Sequence, residues 1–142
     1  MKHQRRIGAA LAVCLLCMTV LIPCADAEMV ITPRASTLIQ YTGVGISNLG
    51  GGEVEATAII QCVMSVTTLG FNYVRIQEYR DGAWTTVRST YSQYAGNKSR
   101  HSYTLTYNGT TGMRYRAQAG FVAQNGSVTD TTSRSSGEIT AN

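Results

Sequence analysis

The most regular hydrophobic pattern in the chain lies between residues 113 and 124, where apolar and polar side chains alternate. The apolar set occupies the odd positions and comprises Met113, Tyr115, Ala117, Ala119, Phe121 and Ala123. The even positions are mostly polar and include Arg114, Arg116, Gln118 and Gln124. Successive side chains of a β-strand point to opposite faces, and the Asn-Gly pair at 125–126 is a hairpin signal. The segment therefore predicts a strand with one buried face and one face in water.

Six further segments have strand-like composition and are separated by turn signals such as Gly50-Gly51-Gly52 and Asp81-Gly82. They span about 39–48, 53–63, 72–79, 84–90, 100–107 and 128–139, with loops expected at 67–70 and 92–98. A single amphipathic sheet would leave its apolar face in water, whereas two sheets packed face to face bury it. The pattern therefore predicts an all-β, seven-stranded antiparallel sandwich.

The N-terminal residues differ in composition from the rest of the chain. A basic start with Lys2, Arg5 and Arg6 precedes an apolar run at 7–22 and the small residues of Ala25-Asp26-Ala27. This is the pattern of a helical secretory signal peptide cleaved after Ala27. An uncleaved anchor is the alternative, but the run is shorter than the roughly 20 residues of a membrane span. We therefore expect a signal peptide at 1–27, a flexible arm at 28–36 and the sandwich domain at 37–142.

Removal of the signal peptide changes both the charge and the cysteine content. The chain has 12 Lys and Arg against 8 Asp and Glu; without Lys2, Arg5, Arg6 and Asp26, nine basic and seven acidic residues remain. This small excess gives no reason to expect a nucleic-acid partner. Cys62 is the one cysteine outside the signal peptide, so no disulfide within the mature chain is expected. It is in phase with Val54, Ala56, Ala58, Ile60 and Met64, which predicts that Cys62 is buried.

Three residues resemble the framework of immunoglobulin and fibronectin type III domains. Tyr115 follows the connection between the fifth and sixth strands, where such domains place a tyrosine whose hydroxyl bonds nearby backbone. Ala117 occupies the position of the second framework cysteine, and Cys62 on the second strand has no partner. Trp84 falls on the fourth predicted strand instead of the third, which favours a fibronectin-like arrangement over an antibody-type domain.

A second resemblance is to a family of small uncharacterised exported proteins of Gram-positive bacteria, known as a domain of unknown function. The matching segments are the signal peptide, PRAS at 33–36, AWTTV at 83–87, RH at 100–101 and YNGTTGMRYRA at 107–117. The resemblance implies a secreted bacterial protein. It implies no activity and no functional residues.

Residues able to perform catalysis are few in the predicted mature chain. His101 is its one histidine and is in phase with Tyr103 and Leu105, so we expect it to point inward. Glu53 and Glu55 share a strand face, a spacing more typical of a solvated surface than of a glycosidase pair. Glu78 has the parity of inward-facing residues, so it either follows a bulge or turns inward to meet an arginine; we favour the bulge. No metal-ligand set and no cofactor motif is present.

What remains is a predicted surface rich in tyrosine and arginine. The outward positions of the third strand are expected to be Phe71, Tyr73, Arg75, Gln77 and Tyr79, and those of the sixth include Arg114 and Arg116. The third and sixth strands are neighbours in an immunoglobulin-like sandwich, so these side chains are expected on one face. Tyrosine and arginine are frequent in binding hot spots, although the same pairs also stabilise ordinary sheets.

These observations favour a secreted or cell-wall-associated, non-enzymatic binding module. Its expected partner is a protein or a cell-wall polysaccharide, with no membrane contact after cleavage of the signal peptide. Two alternatives remain from other functional classes. One is a small secreted toxin or antibacterial effector, and the other is a secreted hydrolase that would use His101 and Glu78.

Overall fold

The computed structural model describes residues 37–142 as seven β-strands, and these residues contain no helix. The strands are β1 (Ile39–Gly50), β2 (Glu53–Val66), β3 (Thr68–Arg80), β4 (Ala83–Ala95), β5 (Lys98–Asn108), β6 (Arg114–Asn125) and β7 (Val128–Thr140). The predicted signal peptide and arm lie outside the described residues. Within 37–142 there is no helix long and apolar enough to span a membrane.

The strands form two antiparallel sheets whose inner faces share one core. One sheet has three strands in the order β1-β2-β5, and the other has four in the order β4-β3-β6-β7. The predicted all-β fold with seven antiparallel strands is confirmed. The third and sixth strands are direct neighbours, as expected, and the Ser- and Thr-rich β7 is an edge strand.

The core consists of the side chains that the alternating pattern places inward. It includes Val54, Ala56, Ala58 and Ile60 of β2, Val74 and Ile76 of β3, and the odd residues from Tyr115 to Ala123 of β6, all at 0% exposure. Complete burial of a large apolar side chain contributes about 1.5–3 kcal/mol. Within the described residues, every strand is hydrogen-bonded to at least one neighbour, and the two sheets share this core.

Two predicted loops are largely strand. β3 begins at Thr68, and only Gly96 and Asn97 separate β4 from β5. Gly70 pairs with Tyr94 in a backbone conformation of φ +158°, and a Cβ at this position would lie 2.1 Å from the carbonyl oxygen of Gln93. Only glycine permits this close approach of the two strands. Gly70 therefore belongs to the strand, although in the sequence it resembles a loop residue.

The predicted side-chain phase is wrong at two positions. Phe71 was expected on the outer face but is fully buried, because the register of β3 against β6 shifts between Phe71 and Tyr73. Asn72 is thus the extra residue of a bulge, which reverses the parity of the residues before it. Met64 has the parity of the buried Cys62 but is 54% exposed, since the pairing of β2 with β5 is interrupted after Gln61.

Candidate binding face

The pairing of β3 with β4 and β6 brings the predicted surface residues together on the outer side of the four-stranded sheet. Across β3 and β6, Tyr73 lies opposite Gly120, Arg75 opposite Gln118, and Gln77 opposite Arg116. Tyr79 lies opposite Trp84 of β4. We call this surface the arginine face and define it by Tyr73, Arg75, Gln77, Tyr79, Trp84, Arg114, Arg116 and Gln118.

At one end of the arginine face, two aromatic rings and two guanidinium groups are stacked together. The rings of Tyr79 and Trp84 meet edge to face, with their centroids 5.1 Å apart. The guanidinium of Arg114 lies 4.4 Å from the centroid of the Tyr79 ring, and that of Arg116 lies 4.5 Å from the Trp84 ring. Such cation–π contacts are worth about 0.5–1 kcal/mol at exposed sites. The stacking therefore limits the positions available to both arginines.

The middle of the face repeats this arrangement around Tyr73. The guanidinium of Arg75 lies 4.8 Å from the centroid of the Tyr73 ring. Arg75 donates from both Nε and Nη2 to Oε1 of Gln118, with Nε at 2.7 Å. The Tyr73 ring covers the backbone of Gly120, where a Cβ would lie 2.5 Å from the ring. A glycine opposite the tyrosine is therefore required for the ring to lie flat on the sheet.

Gln77 is a buried polar residue that holds Arg116 in place. Its side chain is 7% exposed; Oε1 accepts a hydrogen bond from Nε of Arg116 at 2.9 Å, and Nε2 donates to the Thr86 hydroxyl at 3.4 Å. Within residues 37–142, the two terminal nitrogens of Arg116 have no protein acceptor. The guanidinium is thus fixed by its inner edge and by Trp84, and its outer edge is available to a ligand.

Trp84 does not occupy the framework position that the immunoglobulin resemblance implies. It lies on β4 as predicted, but it is half-buried on the outer surface and is not part of the core formed by residues 37–142. The reason is its register, because Trp84 is paired with the outward residue Tyr79. The tryptophan therefore belongs to the arginine face.

Several residues that border the face were not among the predicted site residues. Tyr91 and Tyr94 are 64% and 47% exposed on β4, in a segment that was predicted to be largely loop. Glu138 of β7 lies opposite Arg116 and accepts a hydrogen bond from Nη2 of Arg114 at 2.6 Å. The repeated tyrosines of β4 were a usable signal, whereas the position of Glu138 depends on a bulge in β7 next to Gly137.

Directly behind Tyr79, the inner side of the same sheet contains a buried carboxylate. Glu78 is 1% exposed; it accepts a hydrogen bond from the Tyr115 hydroxyl at 2.8 Å and another from Nε of Arg80 at 2.9 Å. The bulge that we favoured does not turn Glu78 outward. The register shift beside it lies in β4, where Ile76 pairs with Arg88 and Gln77 with Thr86. The alternative, an inward glutamate that meets an arginine, is what the structure contains.

Tyr115 links this carboxylate to the backbone of the preceding connection. Its hydroxyl accepts a hydrogen bond from the amide of Thr110, five residues upstream, at 2.9 Å. This is the type of contact expected of a tyrosine at this position. Burial and the neighbouring Glu78 raise the pKa of the Tyr115 hydroxyl, although the hydrogen bond from Thr110 opposes the rise. The phenol therefore remains protonated and donates to Glu78.

His101 and Glu78, the residues of the hydrolase alternative, are widely separated. The His101 ring packs against Phe71 with the centroids 5.5 Å apart, which agrees with the predicted inward orientation. Glu78 lies seven residues further along β3, about 20 Å away in the strand direction. Burial, and to a lesser extent Lys98, lowers the pKa of His101. The two side chains therefore cannot act on one substrate atom in this conformation.

The remaining chemical groups do not converge on a site. Cys62 is buried as expected, and this burial, together with the charge of Asp130, raises the pKa of its thiol. A protonated thiol is a poor nucleophile. In the described part of the chain, no three His, Cys, Asp or Glu side chains are grouped as metal ligands would be.

A cleft of about 390 Å³ beside β5 is lined by Glu53, Arg88, Thr106, Tyr107 and Asn108. Glu55, which shares a strand face with Glu53, does not line this cleft, so the two carboxylates do not face each other across it.

Comparison with known proteins gives one weak structural similarity. No family model matches the chain, and no curated protein matches it. The crystal structure of Spo0M, a sporulation control protein from Bacillus subtilis, is similar with 12% sequence identity and a TM-score of 0.40. The aligned region covers 71% of this chain and 49% of Spo0M, so the chain spans about half the length of that protein. At this level the similarity supports no functional argument.

Proposed function

We propose that the protein is a secreted, non-enzymatic binding module that contacts a protein or a cell-wall glycan through the arginine face. The observation behind this proposal is the set of three arginines stacked on aromatic rings on one outer face. Tyrosine, tryptophan and arginine dominate binding hot spots, because they combine a large contact area with polar groups. Side chains that are already fixed lose little conformational entropy when a partner binds.

We further propose that the sandwich is of the fibronectin type III kind. Antibody constant domains place their fourth strand with the first, second and fifth. Here β4 pairs with β3, in the sheet that also contains β6 and β7. The order of the strands and the bond from Thr110 to the Tyr115 hydroxyl both support this proposal. Secretion is proposed from the N-terminal pattern, and N-terminal sequencing of protein from the culture medium should begin at Glu28.

The binding proposal is tested with a purified chain spanning 28–142, mixed with cell walls and with secreted proteins of the source organism. The substitutions Tyr73→Ala and Arg116→Ala together remove one ring and one guanidinium from the arginine face. Because hot-spot residues typically cost about 2 kcal/mol each when truncated, we expect retention of the partner to fall at least about tenfold. Retention is measured by quantitative co-sedimentation and by pull-down.

The matched control changes the outer side of the other sheet. Tyr41 and Arg100 both lie opposite Gln61, on the outward register of β1, β2 and β5. Tyr41→Ala with Arg100→Ala removes the same two residue types and should leave retention within about twofold of wild type. If the control pair weakens retention and the Tyr73 and Arg116 pair does not, the arginine face is not the binding surface.

A further inference from the structure

The three arginines of the arginine face form a line along the sheet. Arg75 lies opposite Gln118, so Arg116 is its diagonal neighbour, and Arg114 is two residues further along β6. Diagonal neighbours and residues two apart in a strand are both separated by about 7 Å. The backbone positions of the three arginines therefore recur at nearly equal steps over about 14 Å, and their guanidiniums lie over the rings of the same face.

The aromatic rings of the face are already covered by these arginines. Each of the Tyr73, Tyr79 and Trp84 rings has a guanidinium carbon within 4.8 Å of its centroid. Proteins that bind neutral sugars or single-stranded nucleic acids through aromatic residues need ring faces available for stacking. Here the rings position the guanidiniums, and a ligand meets N–H donors instead of open rings.

The charges of the face also differ from those of the opposite side of the sandwich. The outward residues of β4, β3, β6 and β7 include Arg75, Arg114 and Arg116, with Glu138 as the one carboxylate in register on this described surface. The outward register of β1, β2 and β5 contains two carboxylates, Glu53 and Glu55, and one cation, Arg100, among neutral residues such as Tyr41 and Gln61. The excess positive charge of residues 37–142 is therefore concentrated on the arginine face.

From the alignment of the three arginines along the sheet, the covered rings and the concentrated charge, we infer that the ligand is a linear anionic polysaccharide, whose repeated sulfate, phosphate or carboxylate groups are bound by Arg75, Arg116 and Arg114. This inference rests on the proposed function and specifies its ligand class. Arginine presents paired N–H donors that match the oxygens of such anions. Because the nitrogen donors of Arg75 and Arg116 are oriented by Gln118 and Gln77, the site is formed before the ligand arrives.

The test uses the 28–142 chain with dextran sulfate as the probe and uncharged dextran of the same length as its control. We expect dextran sulfate to bind and dextran not to bind. Three anion contacts predict that affinity falls about 20- to 40-fold between 50 and 200 mM salt. Arg75→Gln and Arg116→Gln should each weaken binding several-fold and reduce the slope of log affinity against log salt by about 0.7 to 0.9.

Two further variants separate charge recognition from general folding effects. Arg100→Gln removes an equal charge from the opposite face and should leave affinity within about twofold of wild type. Glu138→Gln removes the carboxylate beside Arg114 and should strengthen dextran sulfate binding by about threefold, the scale of an exposed ion pair. A gain in affinity cannot arise from misfolding. Far-ultraviolet circular dichroism of each variant checks that its fold is retained.

Four outcomes would overturn the inference. Equal binding of dextran and dextran sulfate would show that charge is not recognised. Loss of binding in Arg100→Gln but not in Arg116→Gln would place the anion site elsewhere. Tighter binding of a 20-nucleotide oligothymidine, with the same sensitivity to Arg116→Gln, would identify a nucleic-acid site instead. If dextran sulfate does not bind but Tyr73→Ala with Arg116→Ala still loses its partner, the ligand class is wrong and the binding function remains.

Discussion

Phe71, Phe121 and His101 pack ring against ring at one end of the sandwich interior, whereas at the other end the Glu78 carboxylate lies between Tyr115 and Arg80. We call these the aromatic end and the glutamate end. Phe71 and Phe121 are fully buried and meet edge to face at 5.5 Å. Glu78 is also buried, at 1% exposure. A buried carboxylate without hydrogen-bond partners would destabilise the fold. The same two strands, β3 and β6, thus use packing at one end and hydrogen bonds at the other.

This difference affects the arginine face. Tyr79 follows Glu78 directly in β3, and Arg114 precedes Tyr115 in β6. The rings and guanidiniums around Trp84 therefore lie on the outer face of the sheet, directly behind the glutamate end. A hydrogen-bonded residue has one favoured orientation, whereas apolar side chains tolerate several packings. We therefore expect the glutamate end to contribute less to stability than the aromatic end and more to the geometry of the proposed site.

The largest expected effect is at the aromatic end, on Phe121→Ala. Removal of a fully buried phenyl ring leaves a cavity and typically costs about 3–5 kcal/mol. Small domains have roughly 5–15 kcal/mol of total stability, and residues 37–142 contain no disulfide, since Cys62 is unpaired there. The midpoint of urea unfolding, followed by tryptophan fluorescence, should fall accordingly. Val122→Ala, on the outer side of the same strand, serves as the control and should cost under about 1 kcal/mol.

A smaller effect is expected at the glutamate end, on Tyr115→Phe. The change keeps the ring but leaves the Thr110 amide and one oxygen of Glu78 without their hydrogen-bond partner. An unsatisfied buried polar group costs about 1–3 kcal/mol, so the urea midpoint should fall by less than in Phe121→Ala. Dextran sulfate binding should also weaken, because Tyr115 directly follows Arg114 in β6 and Arg114 is one of the proposed anion-binding residues.

Tyr107→Phe is the matched control for that substitution. The Tyr107 ring lies 6.1 Å from the Tyr115 ring, centroid to centroid. Within the described residues the Tyr107 hydroxyl has no hydrogen bond of its own. The control should change stability by under about 0.5 kcal/mol. If both phenylalanine variants have the same stability, the hydroxyl of Tyr115 contributes nothing and the comparison between the two ends fails.

The contrast between the ends also explains which parts of the structure were predictable. Alternation along β2 and β6 predicted the core at Ile60 and Phe121, because the register shift beside Phe121 places its extra residue in β3 and leaves the alternation of β6 intact. Phe71 was misplaced because a one-residue bulge at Asn72 reverses parity and leaves no mark in the composition. The burial of Glu78 depends on Arg80 and on Tyr115, which is 37 positions away, and so could not be derived from periodicity within one strand.

The candidate site was predictable to a similar degree. The residues of β3 and β6 followed from parity and from the expected pairing of those strands. Those of β4 did not, because an edge strand with both sides partly in water has no hydrophobic alternation. Trp84 was assigned to the framework by analogy, whereas its register opposite Tyr79 decides that it faces outward. A prediction of strand register would therefore have been needed to complete the face.

The smallest expected effect is a pH dependence that originates at the aromatic end. Burial beside Phe71, and secondarily the charge of Lys98, lowers the pKa of His101. The unfolded chain, with the ordinary histidine pKa of about 6.5, then binds more protons than the folded chain as the pH falls below that value. The free energy of unfolding should therefore decrease as the pH falls from about 6.5, and the loss is complete below the folded pKa.

Two measurements on the 28–142 chain test this prediction, and His101 is its one histidine, which makes both unambiguous. The NMR titration of His101 should give a pKa below that of a model peptide, and Lys98→Gln should bring the value closer to it. Unfolding midpoints at pH 7.5 and pH 5.5 should differ in wild type and differ less in His101→Gln, each protein being compared with itself. A difference that persists unchanged in His101→Gln would therefore assign the pH dependence to other groups and remove the aromatic end as its source.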